Sequence, residues 1–218
     1  MGAKNNAAAV DHGRGEHTAF AGATNTGGWR VDPPGQIDNE HSQRPDAPPG
    51  LVGKNDQTIA GTDADETLQG GLGDDSLSGG AGADTLTGGE ANDTLSGGEG
   101  GDELSGDGGA DTFVAEHTAD TVDGLDRVTD FTAADDQLQF TGGPAATDAN
   151  FATATAADFD AAVLAAQDAV TSGAAYVAVE VGGDVLVFAD TDGDPTTLDA
   201  ALVLVGKTLA DITVADIG

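Results

Sequence analysis

Every ninth residue from Asp75 to Asp111 is an aspartate: Asp75, Asp84, Asp93, Asp102 and Asp111, with Glu66 one step ahead. Glycines stand in the same register. The units read "GTDADETLQ" from Gly61, "GGLGDDSLS" from Gly70, "GGAGADTLT" from Gly79, "GGEANDTLS" from Gly88, "GGEGGDELS" from Gly97 and "GDGGADTFV" from Gly106. A degenerate unit, "VGKNDQTIA", precedes them and keeps Ile59 in phase. Paired carboxylates can do acid–base work or hold a cation. A strict period over six units assigns these to a cation.

The available ligands are all oxygen, from carboxylates and backbone carbonyls. The chain has no Cys, and no His lies within the units, so zinc and copper are poor candidates. A flexible cage of six or more oxygens suits Ca²⁺ better than Mg²⁺, which demands strict octahedral geometry and keeps its waters.

The rest of the unit must position those carboxylates. Position eight is always large and apolar: Leu68, Leu77, Leu86, Leu95, Leu104 and Phe113. Its neighbours at seven and nine are mostly polar, which is strand alternation. The strand is expected to be about three residues long, and glycine supplies the unusual dihedrals of the corner. Two units then close one flattened coil, and coils stack with parallel pairing around a thin apolar core. Stacking sets carboxylates of alternate units about 4.8 Å apart. At that distance they repel by about 0.9 kcal/mol in bulk water and about 3.5 kcal/mol at an effective dielectric of 20. A bound cation reverses the sign.

These units resemble the RTX nonapeptide repeat over residues 56–114. The resemblance implies a right-handed parallel β-roll with several Ca²⁺ ions between corners of adjacent coils. Its ligands would be the side chains of Asp75, Asp84, Asp93, Asp102 and Asp111. Carbonyls of Gly71, Gly73, Gly80, Gly82, Gly89, Gly98 and Gly100 would complete them. The pattern is broken at Glu66, at Ala64 and Ala91 (third glycine), and at Thr62 and Asp107 (second glycine), so strain is expected at Ala91. "DRVTDFTAADDQLQF" resembles the stretch that closes RTX rolls. The ending from Val185, "VLVFADTDGDPTTLDAALVLVGKTLADITVADIG", resembles that of RTX proteins exported by type I secretion. That pathway reads a C-terminal signal. It implies the secretion apparatus as a partner, and a secreted or cell-surface location.

The expected fold is β-dominated, in three parts. Residues 1–55 hold five of the seven basic residues, show no helical or strand periodicity, and read as disordered or as a short interaction segment. Residues 56–114 form the roll. Residues 115–218 form a β-rich cap and secretion-signal region with one helix, "TAADFDAAVLAAQDAVTSG". That helix would be capped by Thr155 with Asp158 in its first turn, end at Gly173, and turn Phe159, Val163, Ala166 and Val170 to one face. "AYVAVEVGGDVLVFAD" reads as a hairpin turning at Gly182–Gly183, and "DRVTDF", "DQLQF" and "ALVLVG" as strands.

The acidic balance, 39 acidic residues against 7 basic and a net charge of −32, disfavours nucleic acid and anionic membranes. No apolar stretch reaches the roughly 20 residues of a membrane helix, and "MGAKNNAAAVDHGRG" lacks the apolar centre of a secretory signal. Salt adaptation would explain the charge but not the nine-residue period. "DTDGD", with Asp190, Asp192 and Asp194, reads either as an acidic turn or as part of a calcium loop; Ala201 stands where an EF-hand loop wants its glutamate. Asp130, Asp135 and Asp136 read either as ligands or as solvated strand ends. His12, His17, His41 and His117 are scattered, and no H-E-x-x-H or G-x-S-x-G motif occurs. The expectation is a calcium-binding protein, not an enzyme, folding on calcium outside the cell in a structural or adhesive role with surface or matrix components. The alternative is an RTX module of, or accessory to, a secreted hydrolase or polysaccharide-modifying enzyme.

Overall fold

The computed structural model describes residues 56–116 and 124–218, together with the backbone of 30–32 and 36–38. The four histidines and most of the expected N-terminal segment lie outside the described residues.

The nine-residue units alternate between two facing sheets. Strands β4 (Thr67–Leu72), β6 (Thr85–Glu90) and β8 (Glu103–Gly108) stack parallel on one side, and β3 (Thr58–Ala60), β5 (Ser76–Ala81), β7 (Thr94–Glu99) and β9 (Thr112–Ala115) on the other. Each strand pairs with the one two units on: Leu68 faces Leu86, which faces Leu104, while Leu77 faces Leu95, which faces Phe113. Position eight is fully buried from both sides, and its residues form one continuous core cluster. Each such side chain contributes about 1.5–3 kcal/mol by leaving water.

Strands β4 to β8 are six residues long rather than about three. The glycine pair continues the ladder instead of leaving it, with Gly71 paired to Gly89 and Gly80 to Gly98. The two glycines have different jobs. The second and third glycines of the unit sit at positive φ, from 105° at Gly98 to 131° at Gly100 within the matched corners, which only glycine adopts freely. The first glycine keeps an ordinary φ. A Cβ there would overlap the carboxylate of its own unit, as Gly97 against Asp102. Position one is glycine to leave room for the aspartate.

Ala91 occupies the third-glycine position with φ 88°. The left-handed conformation costs a residue with a Cβ about 1–2 kcal/mol, and glycine returns about 0.4–1 kcal/mol of that through unfolded-chain entropy. Ala91→Gly should therefore stabilise the fold by about 0.5–1 kcal/mol, raising Tm by roughly 1–4 °C in saturating calcium for a chain this long. An unchanged or lower Tm would show that this corner carries no strain.

The roll does not stop with the repeats. Strand β10 (Asp126–Val128) adds to β8, and β11 (Gln137–Phe140) adds to β9, both parallel. The first sheet then runs on through β15 (Ala200–Leu204), β14 (Asp184–Ala189), β13 (Tyr176–Val181) and β12 (Phe151–Ala156). Strands β13 and β14 form the expected hairpin, with Gly182 and Gly183 at positive φ. Strands β12 and β13 are parallel, which requires a crossover, and helix α1 (Phe159–Thr171) supplies it. The helix starts at Asp158, not Thr155: the Asp158 carboxylate accepts from Ala161 N–H at 2.9 Å, and Thr155 lies within β12. Ala162, Ala166 and Val170 are its buried residues, with Phe159 and Val163 half-buried beside them.

The end of the chain closes the second sheet. Ile217 bridges Leu138, Gly218 N–H donates to the Leu138 carbonyl at 3.0 Å, and Ile212 and Ile217 are buried in the roll core. At the opposite end, β1 (Arg30–Asp32) and β2 (Gln36–Asp38) form a hairpin whose second strand pairs with β4. Three-residue strands held by backbone pairing show no side-chain period, so residue pattern alone does not announce them. Among the described residues, no helix is long and apolar enough to cross a membrane.

Candidate metal centre

The repeat aspartates form two columns, one along each edge of the roll. On the first edge, Asp75 Oδ1 accepts from Gln57 N–H (2.7 Å), Asp93 Oδ1 from Asp75 N–H (2.7 Å) and Asp111 Oδ1 from Asp93 N–H (2.8 Å). On the second, Asp84 Oδ1 accepts from Glu66 N–H (2.8 Å) and Asp102 Oδ1 from Asp84 N–H (2.7 Å). Each carboxylate thus spends one oxygen tying its coil to the coil before it.

The other oxygen is the informative one. Asp75, Asp84, Asp93 and Asp102 are only 1–2 % exposed, and the Oδ2 of each is buried with no hydrogen-bond partner. An orphaned carboxylate oxygen in the interior is costly. It is repeated four times in register, against a glycine that keeps the space beside it clear. A hard cation is the partner that fits an all-oxygen donor set of this kind.

The electrostatics agree. Burial pushes the Asp75 carboxyl up to about 6 and the Asp93 carboxyl up to about 7, each partly countered by its backbone hydrogen bond and then raised by neighbouring aspartates. Asp84 and Asp111 are raised for the same reasons.

The residues singled out from the sequence sort onto the two edges. Asp75, Asp93 and Asp111 share the first with Gly71, Gly73 and Gly89; Asp84 and Asp102 share the second with Gly80, Gly82, Gly98 and Gly100. Carbonyl oxygens of Gly71, Gly80 and Gly82 lie against the α-carbons of Gly89, Gly98 and Gly100, one coil on. At the corners of Asp84 and Asp102 the second edge keeps its glycines, and Thr62 and Ala64 replace them only at its first corner; the first edge carries Ala91 and Asp107, both at positive φ.

Four features lay beyond the periodic reading. Asp126 Oδ1 accepts from Asp102 N–H (3.2 Å) and Asp136 Oδ1 from Asp111 N–H (2.9 Å), so both columns gain a rung past the last unit. Burial first, then the Asp102 charge, lifts the Asp126 carboxyl to about 8. Spacings of 24 and 25 residues hide these rungs from a nine-residue period. The triplets Asp126-Arg127-Val128 and Asp136-Gln137-Leu138 nonetheless copy the Asp-x-apolar core of a unit. Among the described residues, the Glu66 carboxylate turns to its own corner, accepting from Thr62 N–H (2.6 Å) and Thr62 Oγ1 (2.7 Å), so the two departures from the pattern compensate each other. Gln57 stands at position six of the degenerate unit, and its side chain donates to the Gly70 carbonyl at 2.9 Å.

The remaining acidic candidates separate. Asp130 accepts from Ser105 Oγ (2.7 Å), Gly106 N–H (3.1 Å) and Asp107 N–H (2.7 Å), clamping the last repeat corner of the first edge. Asp135 is exposed. In the "DTDGD" loop, Asp194 turns to Thr196, and the carboxylates that converge are those of Asp190, Asp192 and Asp199.

A family model for the RTX calcium-binding nonapeptide repeat matches residues 60–95 and 96–126. No curated protein matches the chain. Among solved structures, the R2 subunit of the AlgE6 mannuronan C5-epimerase from Azotobacter vinelandii is similar at 25% identity, over 72% of this chain and 89% of that one, with a TM-score of 0.45. The extracellular lipase LipA from Serratia marcescens is similar at 24% identity, over 73% of this chain and 20% of the lipase, with a TM-score of 0.46. The R3 subunit of the same epimerase is similar at 25% identity, over 79% of this chain and 86% of that one, with a TM-score of 0.29. The register, the paired carboxylate columns and the repeat match agree: residues 60–126 carry RTX calcium-binding nonapeptide repeats.

Proposed function

We propose that this chain is a non-catalytic calcium-folded protein that works outside the cell, reaching it through type I secretion, with a structural or adhesive role. Residues 56–114 would be its calcium module and 115–218 its cap and export region. Asp75, Asp84, Asp93, Asp102 and Asp111 would hold the ions, together with carbonyls of Gly71, Gly73, Gly80, Gly82, Gly89, Gly98 and Gly100. The observation that carries the calcium reading is the four buried, partnerless Oδ2 atoms standing in register on the two edges. Two roles follow for calcium: it satisfies those oxygens and cancels repulsion along each column. In a calcium-poor cytosol the acidic repeat would stay unfolded and threadable; at extracellular-module affinities, roughly 10⁻⁴–10⁻³ M, it would fold outside.

Far-UV circular dichroism against calcium, with magnesium as control, tests this. A cooperative gain of β signal between about 0.1 and a few millimolar Ca²⁺ is expected, with little response to Mg²⁺. A full β signal in chelator, unmoved by calcium, would sink the reading. Export is tested separately, by following the full chain in cells with and without a type I exporter; equal appearance in both media would remove that part.

A further inference from the structure

The family match begins at residue 60, yet the first edge has a position-six residue before it, Gln57. Its backbone is in register: Gln57 N–H donates to Asp75 Oδ1 as Asp75 N–H donates to Asp93 Oδ1. Its side chain is 8% exposed. The amide nitrogen donates to the Gly70 carbonyl, which fixes the orientation of the amide, because the flipped form would set two oxygens against each other. Gln57 Oε1 is then buried with no hydrogen-bond partner. It shares that condition with Asp75 Oδ2, which lies beside Gly70, the residue whose carbonyl the same amide contacts. Both orphaned acceptors thus belong to side chains packed at the Gly70 corner. Asp56 and Asp74 add negative charge around it.

We propose that Gln57 and Asp75 hold a further calcium ion at the N-terminal corner of the first edge, with the Gln57 amide oxygen replacing the carboxylate of a regular unit. Calcium accepts amide and carbonyl oxygens as readily as carboxylates in a mixed cage. With one formal charge fewer, this corner binds its ion more weakly than the inner ones and fills last as calcium rises. Its occupancy ties β3, the edge strand of the second sheet, to β5. The inference rests on the calcium reading above.

The test counts calcium ions bound by the full chain, using native mass spectrometry and isothermal titration. Wild type and Gln57→Leu are compared first. Gln57→Leu should bind one ion fewer, with the tighter ions retained. An unchanged count overturns the inference, while a wild type that binds no calcium overturns the broader reading instead. If Gln57→Leu fails to fold, Gln57→Asp decides. An unchanged count with the last-filling ion bound more tightly supports the site. A gain of one ion overturns it, because the wild-type amide would then be plugging the corner rather than sharing in a site.

Discussion

Asp84→Asn/Asp102→Asn should melt at or above wild type in chelator and clearly below it in calcium. The pair lies on the second edge, at two corners that keep all three glycines, with Asp102 Oδ1 accepting from Asp84 N–H and Asp84 Oδ1 from Glu66 N–H. Asparagine keeps an oxygen for each of those bonds. It removes two buried charges whose second oxygens have no partner. Its amide can donate to a corner carbonyl, as Gln57 does to Gly70. Without metal, then, the change relieves desolvation and like-charge repulsion. With metal, it removes the charges that make the corner a cation site, and half-maximal folding should move to about tenfold higher calcium for each 1.4 kcal/mol of binding lost. The alanine pair separates the two jobs of these residues. It strands the buried N–H groups of Glu66 and Asp84, at about 1–3 kcal/mol each, so it should be the least stable of the three in chelator. Thermal melts of the three proteins in chelator and in calcium check the order. If the asparagine pair responds to calcium as wild type does, these aspartates are a hydrogen-bonded ladder and nothing more.

The repeat was legible because one constraint is applied many times. A nine-residue step carrying Leu at position eight and Asp at position six admits parallel pairing at a separation of 18, and the ladder has that separation throughout, from Asp75–Gln57 to Asp111–Asp93. The ends of the roll were not legible, because each end is solved once and by different residues. Glu66 turns to Thr62, Asp130 clamps Gly106 and Asp107, and Asp126 and Asp136 take rung positions after loops that break the period. The role of the first glycine was hidden for another reason. Its backbone is unexceptional, and only the position of the carboxylate shows that a Cβ has no room. The helix start was misplaced by three residues because Thr155 and Asp158 are both good N-caps, and β12 claims the first of them through its pairing with β13.

Without calcium, the roll should lose stability as the pH rises from about 5 to 8, the opposite of what carboxylates usually do. A carboxyl in a normal salt bridge is lowered on folding and destabilises the fold when protonated. Here burial raises the folded values, to about 6 at Asp75, about 7 at Asp93 and about 8 at Asp126, with Asp84, Asp111 and Asp136 raised as well. The unfolded chain ionises near the ordinary aspartate value of 3.8. The folded state therefore holds protons that the unfolded state releases. Their stabilisation is fully present below about pH 4 and is lost as pH climbs through the folded values. For Asp93 alone, a rise from 3.8 to about 7 corresponds to about 4 kcal/mol at full ionisation. Calcium reverses the slope, because the ion needs the carboxylates that the protons occupy, so stability in saturating calcium should rise over the same interval. Chemical denaturation at pH 5, 6, 7 and 8, in chelator and in calcium, should give two curves that converge at the acid end and diverge toward pH 8. Parallel curves would mean that proton and calcium do not compete for the same oxygens, and the buried Oδ2 columns would then not be where the ion sits.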